Sequence, residues 1–287
     1  MAPGEVWFLM PAITERPTMM RQMRKRSSNA YLNHGHQLVK GWLFPGAAQS
    51  IVLISEEQRR ANISGPVAEI GVHHGKLFIL LYLLGLENER AVAVDLFSHQ
   101  EMNVDQSGRG DLERFMRNLR RHADTSRLVI HEGDSTQLTA GDLLALGRSP
   151  FRLISIDGGH TSEITAHDLG TAEGALAEGG VVILDDCFNE MWPGVSEGVY
   201  RYFSEPRVIV PFGIGANKTF FCHRPFAHRY AAVLRKLDVK AAERDLLGHK
   251  VVCFAYRPWT LARWVRKVDA FRLFRRIYHE ALSRISR

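Results

Sequence analysis

From Pro66 onward, short apolar runs alternate with longer segments of helical period. VAEIGV, RAVAVDLF, RLVIHEGD, FRLISID and VVILDD are β-rich and predict strands. Between and after them lie HHGKLFILLYLLGL, RGDLERFMRNLRRHA, TAGDLLALG, SEITAHDLGTAEGALAEGG and GVSEGVYRYFSE. The second of these has apolar residues at Leu112, Phe115, Met116 and Leu119, the three-and-four spacing of a helix. Strict β-α alternation predicts parallel strands with right-handed crossovers. The pattern then changes: RVIVPF and KTFFCH flank GIGAN, which predicts a β-hairpin. The expected fold is α/β, a doubly wound (Rossmann-like), mostly parallel seven-stranded sheet ending in that hairpin. AAQSIVLISEEQRRANIS predicts a helix ahead of it. Three regions follow: an N-terminal extension and helix at 1–64, the α/β domain at 65–223, and a basic helical extension at 224–287.

Charge sharpens the last boundary. The chain of 287 residues carries a net charge of +6. From Arg224 to the end there are 16 Lys/Arg against five Asp/Glu, so the preceding region is net negative. A uniformly basic nucleic-acid groove is therefore not indicated, and no nucleic-acid partner is expected. Within the tail, Trp264, Val268, Phe271, Phe274, Tyr278, Leu282 and Ile285 form one helical stripe bordered by Lys267 and Arg275. Such a stripe packs on the domain or on a second copy in a homo-oligomer, or lies on an anionic membrane as a peripheral contact. Three scattered cysteines without zinc-ligand spacing, and an N-terminus without a signal-peptide pattern, make the cytoplasm the expected compartment.

The candidate chemistry sits where strands end. In doubly wound sheets ligands bind beyond the carboxyl ends of the strands. The first turn reads EIGVHHG; Gly71 permits a tight turn and Gly75 a close approach. Asp95 closes the second strand twenty residues after Gly75, where an acid can accept hydrogen bonds from both ribose hydroxyls. The loop lacks the G-x-G-x-x-G spacing that seats a pyrophosphate, so a nucleoside without phosphates suits it better. Asp134 in HEGDS lies on the same edge and can reach an adenine amino group; taken alone it reads as a helix N-cap or turn residue. FRLISIDGGH and GGVVILDDC place further acids at two more strand ends, although desolvating a charge is costly.

With EIGVHHGK, AVAVDLF, SIDGGHT and GGVVILDDCFNEMWPGV, the chain resembles the class I S-adenosylmethionine-dependent methyltransferases over roughly residues 65–223. More narrowly it resembles the metal-dependent sugar O-methyltransferases of macrolide and aminocoumarin biosynthesis and their surface-glycan relatives. The resemblance implies S-adenosyl-L-methionine held by Glu69, Gly71, Gly75, Asp95, Asp134 and Ser135. It implies Mg²⁺ or Mn²⁺ on Asp157, Asp185 and Asp186, His160 as the base, and a sugar or glycoside as acceptor.

That implication gives the strand-end acids a physical role. Three converging carboxylates repel one another unless a cation neutralises them, and hard oxygen donors suit Mg²⁺. A sugar hydroxyl is a poor nucleophile until deprotonated, and a cation lowers its pKa. His160 titrates near neutrality and follows a proposed ligand by three residues. Trp192 reads either as a sugar-stacking or as a packing residue, and the polar loop FSHQEMNVDQSGRGD either covers the site or is simply solvated. The rival readings are a catechol-type O-methyltransferase and a non-catalytic cofactor-binding assembly protein.

Overall fold

The computed structural model describes residues 28–237 and 240–254. Among them nine strands form one sheet: β1 Val67–Ile70, β2 Ala91–Asp95, β3 Leu128–Glu132, β4 Phe151–Ile156, β5 Leu176–Asp185, β6 Ile209–Gly215, β7 Lys218–His223, β8 Ala242–Leu246 and β9 His249–Phe254. Their order is β3-β2-β1-β4-β5-β7-β6-β9-β8. The first five pair in parallel, and β7 enters antiparallel beside β5. From β1 the chain builds the sheet outward to β3 on one side, then returns to add β4 and β5 on the other. This switch between β1 and β4 opens a crevice above their carboxyl ends. The faces are covered by α1 Pro45–Arg60, α2 Lys76–Leu84, α3 Leu112–Arg120, α4 Ala140–Gly147, α5 Ser162–Ala175, α6 Pro193–Tyr202 and α7 Ala227–Leu234.

The near-continuous apolar strands are explained by burial on both faces. Alternate residues serve opposite cores. Val67, Ala91, Ala93, Leu153 and Ile183 meet the layer containing α1, α2, α3 and α7. Ala68, Val92, Val94, Ile154 and Leu184 meet α4, α5 and α6. Phe115 and Leu119 of α3 are fully buried, Leu112 and Met116 partly, as their spacing requires. The N-terminal helix is fastened by buried Arg152 on β4, which donates to Ser55 and Gln58 of α1 and pairs with Glu89 at 3.2 Å.

Three details differ from the sequence expectation. The helix after β4 stops at Ala175, and Leu176 already begins β5, pairing with Phe151 before a register shift. The β6–β7 hairpin is tighter than GIGAN suggests: β6 runs to Gly215, and only Ala216 and Asn217, both at positive φ, make the turn. The sheet has nine strands and not seven, because residues 242–254 form a β8–β9 hairpin in the region expected to be helical. β8, AERDL, hides its strand character behind exposed charges, as an edge strand commonly does. The amphipathic stripe at 264–285 lies outside the described residues. Among the described residues no helix is long and apolar enough to cross a membrane.

Candidate functional site

One cavity of about 620 Å³ occupies the crevice above β1, β2, β4 and β5. Asp95, Asp134, Ser135, Asp157, His160, Asp185 and Asp186 all line it. Residues far apart in sequence meet there because parallel strands all bring their carboxyl ends to one edge.

On the β2 side, Asp95 is fixed by two backbone donors. His73 N–H donates to its Oδ2 at 2.6 Å and Phe97 N–H to its Oδ1 at 2.7 Å. Burial raises its pKa against these bonds. Each oxygen retains a second lone pair for a diol. Asp134 accepts from Thr136 N–H at 2.9 Å, so it caps a short turn as well as facing the cavity. Ser135 Oγ donates to buried Asp168 on α5. Gly71 has φ 87, and a Cβ there would lie 1.8 Å from the Asp157 carbonyl oxygen. Gly71 therefore lets the ends of β1 and β4 close together. Gly75 also permits a close approach, but its neighbour is the Phe115 ring, 2.6 Å from where a Cβ would stand, and it is not on the cavity wall. Glu69 lies behind the wall, 2% exposed, and its Oε2 has no hydrogen-bond partner among the described residues. Burial and then Asp157 push its pKa well above the carboxylate range. An orphaned buried carboxyl atom fits a bound group that brings a hydrogen-bond partner.

On the β4–β5 side, the structure divides the three expected acids. Asp157, His160 and Asp186 offer donor atoms within 4.8 Å of one another. His160 Nε2 stands 3.4 Å from Asp186 Oδ2 and 3.9 Å from Asp157 Oδ1. Asp185 turns away. It pairs with buried Lys218 directly across the β5–β7 ladder, and accepts from Asn217 Nδ2 at 2.9 Å. Asp186 lies just past the end of β5 at φ 59, which brings its carboxylate to His160. Asn217 and Asn189 both donate to Asp186 Oδ1. The facing carboxylate oxygens of Asp157 and Asp186 are hard donors of the kind that fit Mg²⁺ or Mn²⁺, and His160 Nε2 stands beside them.

Lys218 was not legible as a site residue, although a lysine opening a strand opposite an acid is a signal once the hairpin register is known. Asp185 and Lys218 are 8% and 3% exposed. Removing one partner of such a pair leaves a buried uncompensated charge, at about 3–5 kcal/mol. Lys218→Met is therefore expected to lower unfolding free energy by that order in urea titration; an unchanged midpoint would refute the pairing.

The loop between β2 and α3 supplies a second unforeseen residue. Asp105 Oδ2 accepts both the backbone N–H of His160, at 2.6 Å, and its ring Nδ1–H, at 2.7 Å. Trp192 stacks on the same imidazole, with ring centroids 4.3 Å apart. Trp192 thus packs against His160 and also lines the cavity. Nε2 is left facing Asp157 and Asp186. Burial acts to lower the His160 pKa, but hydrogen bonds to Asp105 and Asp186 outweigh it and raise it to about 9. Its contribution to stability is thus fully present below pH 6.5 and is lost as pH rises through about 9. In metal-free protein, urea midpoints should fall across that window, and His160→Asn should flatten the fall; equal slopes in both proteins would refute it.

The doubly wound sheet, with an antiparallel β7 beside β5, thus opens one cavity to both Asp95 and the strand-end acid cluster. Residues 68–187 match a family model described as a methyltransferase domain. No curated protein gives a significant match. Among solved structures, the chain is similar to apo CalS11, described as a TDP-rhamnose 3'-O-methyltransferase, at 18% identity over 75% of this chain and 97% of that one, TM-score 0.46. It is similar to the O-methyltransferase NovP at 18% identity, 62% and 80% coverage and TM-score 0.48. An O-methyltransferase from Bacillus cereus in complex with SAH matches at 17% identity, 74% and 91% coverage and TM-score 0.44. Likenesses at this level assign neither acceptor nor mechanism to this chain.

Proposed function

We propose that the protein is an S-adenosylmethionine-dependent O-methyltransferase that uses a divalent cation and acts on a hydroxyl of a sugar or glycosylated small molecule. The observation that carries the reading is the convergence of Asp157, His160 and Asp186 in the same cavity as Asp95 and Asp134. S-adenosylmethionine supplies an activated methyl group; Asp95 would hold its ribose diol, Asp134 its adenine edge, and Glu69 and Gly71 its neighbourhood at the end of β1. A cation on Asp157 and Asp186, with Asp185 behind them, would lower the hydroxyl pKa and take over the positive charge that the His160 ring provides without it. Asp105 keeps the proton of His160 on Nδ1. Nε2, facing the acids, would take the acceptor hydroxyl's proton while the S–CH3 bond of the sulfonium gives way to the new O–CH3 bond, which would leave S-adenosylhomocysteine and the proton on His160.

The direct test is incubation with S-adenosylmethionine, Mg²⁺ or Mn²⁺ and a panel of glycosides and catechols, with mass spectrometry for a gain of one methylene. Transfer to catechols alone would favour the catechol-type reading, and cofactor binding without any transfer the assembly-protein reading. Asp95→Ala should weaken S-adenosylhomocysteine binding by about 1.5–3 kcal/mol, the worth of hydrogen bonds to a charged group. Unchanged affinity in calorimetry would remove Asp95 from the cofactor site.

A further inference from the structure

The two edges of the sheet are finished differently. β8, at one edge, carries exposed Glu243, Arg244 and Asp245, and its acids pair with Arg235 and Lys250 of their own chain. Such charges blunt an edge against further pairing. β3, at the other edge, reads LVIHE, with no proline or glycine and no lysine or arginine. Its one acid, Glu132, is drawn back along its own chain and accepts from Ser98 N–H at 3.0 Å. All five residues of β3 are half-buried, whereas β1 and β4 are buried throughout. Leu128 and Ile130 lean on one core and Val129 on the other, so β3 shows part of an apolar side chain on both faces of the sheet.

Register fixes which backbone groups of β3 look outward. Ala91 stands opposite Leu128 and Asp95 opposite Glu132, while Ala91 N–H donates to Arg127 C=O and Gly133 N–H to Asp95 C=O. In a parallel ladder of that phase, residues 127, 129, 131 and 133 bond to β2, and residues 128, 130 and 132 turn their N–H and C=O groups away from it. Leu128 N–H returns to Thr125 C=O. The N–H groups of Ile130 and Glu132 and the C=O groups of Leu128 and Ile130 have no hydrogen-bond partner among the described residues. They form a template that one more strand would satisfy.

We propose that β3 is the edge through which two copies of this chain associate, antiparallel about a two-fold axis that passes through the Ile130 pair normal to the sheet. Ile130 then exchanges reciprocal N–H to C=O bonds with the partner's Ile130, and Glu132 N–H donates to the partner's Leu128 C=O. Val129 stands opposite the partner's His131 and Leu128 opposite the partner's Glu132, so no like charges face each other. The strand complements itself in this register, which is what selects a second copy over an unrelated peptide. A pairing of five residues is small for a permanent interface, so the dimer dissociates on dilution. The paired strands run in opposite senses, so the two cavities open at opposite ends of the joined sheet. The pairing stands apart from the methyltransferase reading and does not depend on it.

The test is sedimentation velocity on the full chain across a wide dilution series, with hydrogen exchange resolved to single amides at both ends of the series. The mass should rise toward twice that of the chain as concentration rises. The Ile130 and Glu132 amides should exchange at least about tenfold more slowly in the concentrated protein than in the dilute one. Ile130→Lys can extend its ammonium to solvent in the monomer, but sets like charges together on the two-fold axis. It should stay monomeric at every concentration while keeping the parent's circular dichroism; the exchange measurement, made on the parent, needs no variant. A parent that is monomeric throughout would overturn the proposal. So would a dimer whose Ile130 and Glu132 amides exchange as fast as in the dilute protein, which would place the contact elsewhere on the chain, or Ile130→Lys dimerising as the parent does.

Discussion

His160→Ala is expected to reduce methyl transfer by roughly 10²–10⁴-fold, the usual worth of a positioned general base. The reason is geometric. Asp105 and Trp192 both hold the ring, so Nε2 faces the two carboxylates between which an activated hydroxyl would lie. The substitution should leave S-adenosylhomocysteine affinity unchanged, because Asp95 and Asp134 do not depend on this ring. Single-turnover rates across pH, alongside calorimetry, decide the matter. A variant as fast as the parent would move proton removal to a carboxylate or to solvent.

Asp157→Asn and Asp186→Asn should each cost on the order of 10²–10³-fold in rate, since a cation's stabilisation of developing charge amounts to several kcal/mol. Excess chelator should do the same to the parent, with recovery on adding Mg²⁺ or Mn²⁺. Asp185→Asn should behave differently. Its carboxylate is engaged by Lys218 and Asn217, so the main result should be a lower melting temperature, with the response to metal retained. Metal affinity of the three variants, measured by Mn²⁺ paramagnetic resonance, separates the roles. Full activity in chelator would end the metal mechanism, and equal loss of Mn²⁺ binding in all three would return Asp185 to the ligand set.

The aspartate after β2 and the acids after β4 and β5 were legible because a doubly wound sheet brings every parallel strand to one edge in the same sense. Asp105 was not legible. It sits ten residues past Asp95 in a polar loop with no periodicity, and only the path of that loop across the crevice brings it to His160. The split between Asp185 and Asp186 was equally hidden. The letters DD are silent about which carboxylate meets Lys218, because that depends on β5–β7 register and on the positive φ of Asp186.

Sequence by itself determined the layered architecture: apolar runs of strand length alternating with helical periods admit few arrangements other than a parallel sheet covered on both faces. It also determined the edge on which chemistry would gather. Tertiary structure alone decided that Gly75 serves Phe115 and that β8 and β9 extend the sheet. The physical reason is that local pattern sets which face of an element is buried, whereas pairwise contacts between side chains distant in the chain depend on strand register, loop path and the approach of one backbone to another.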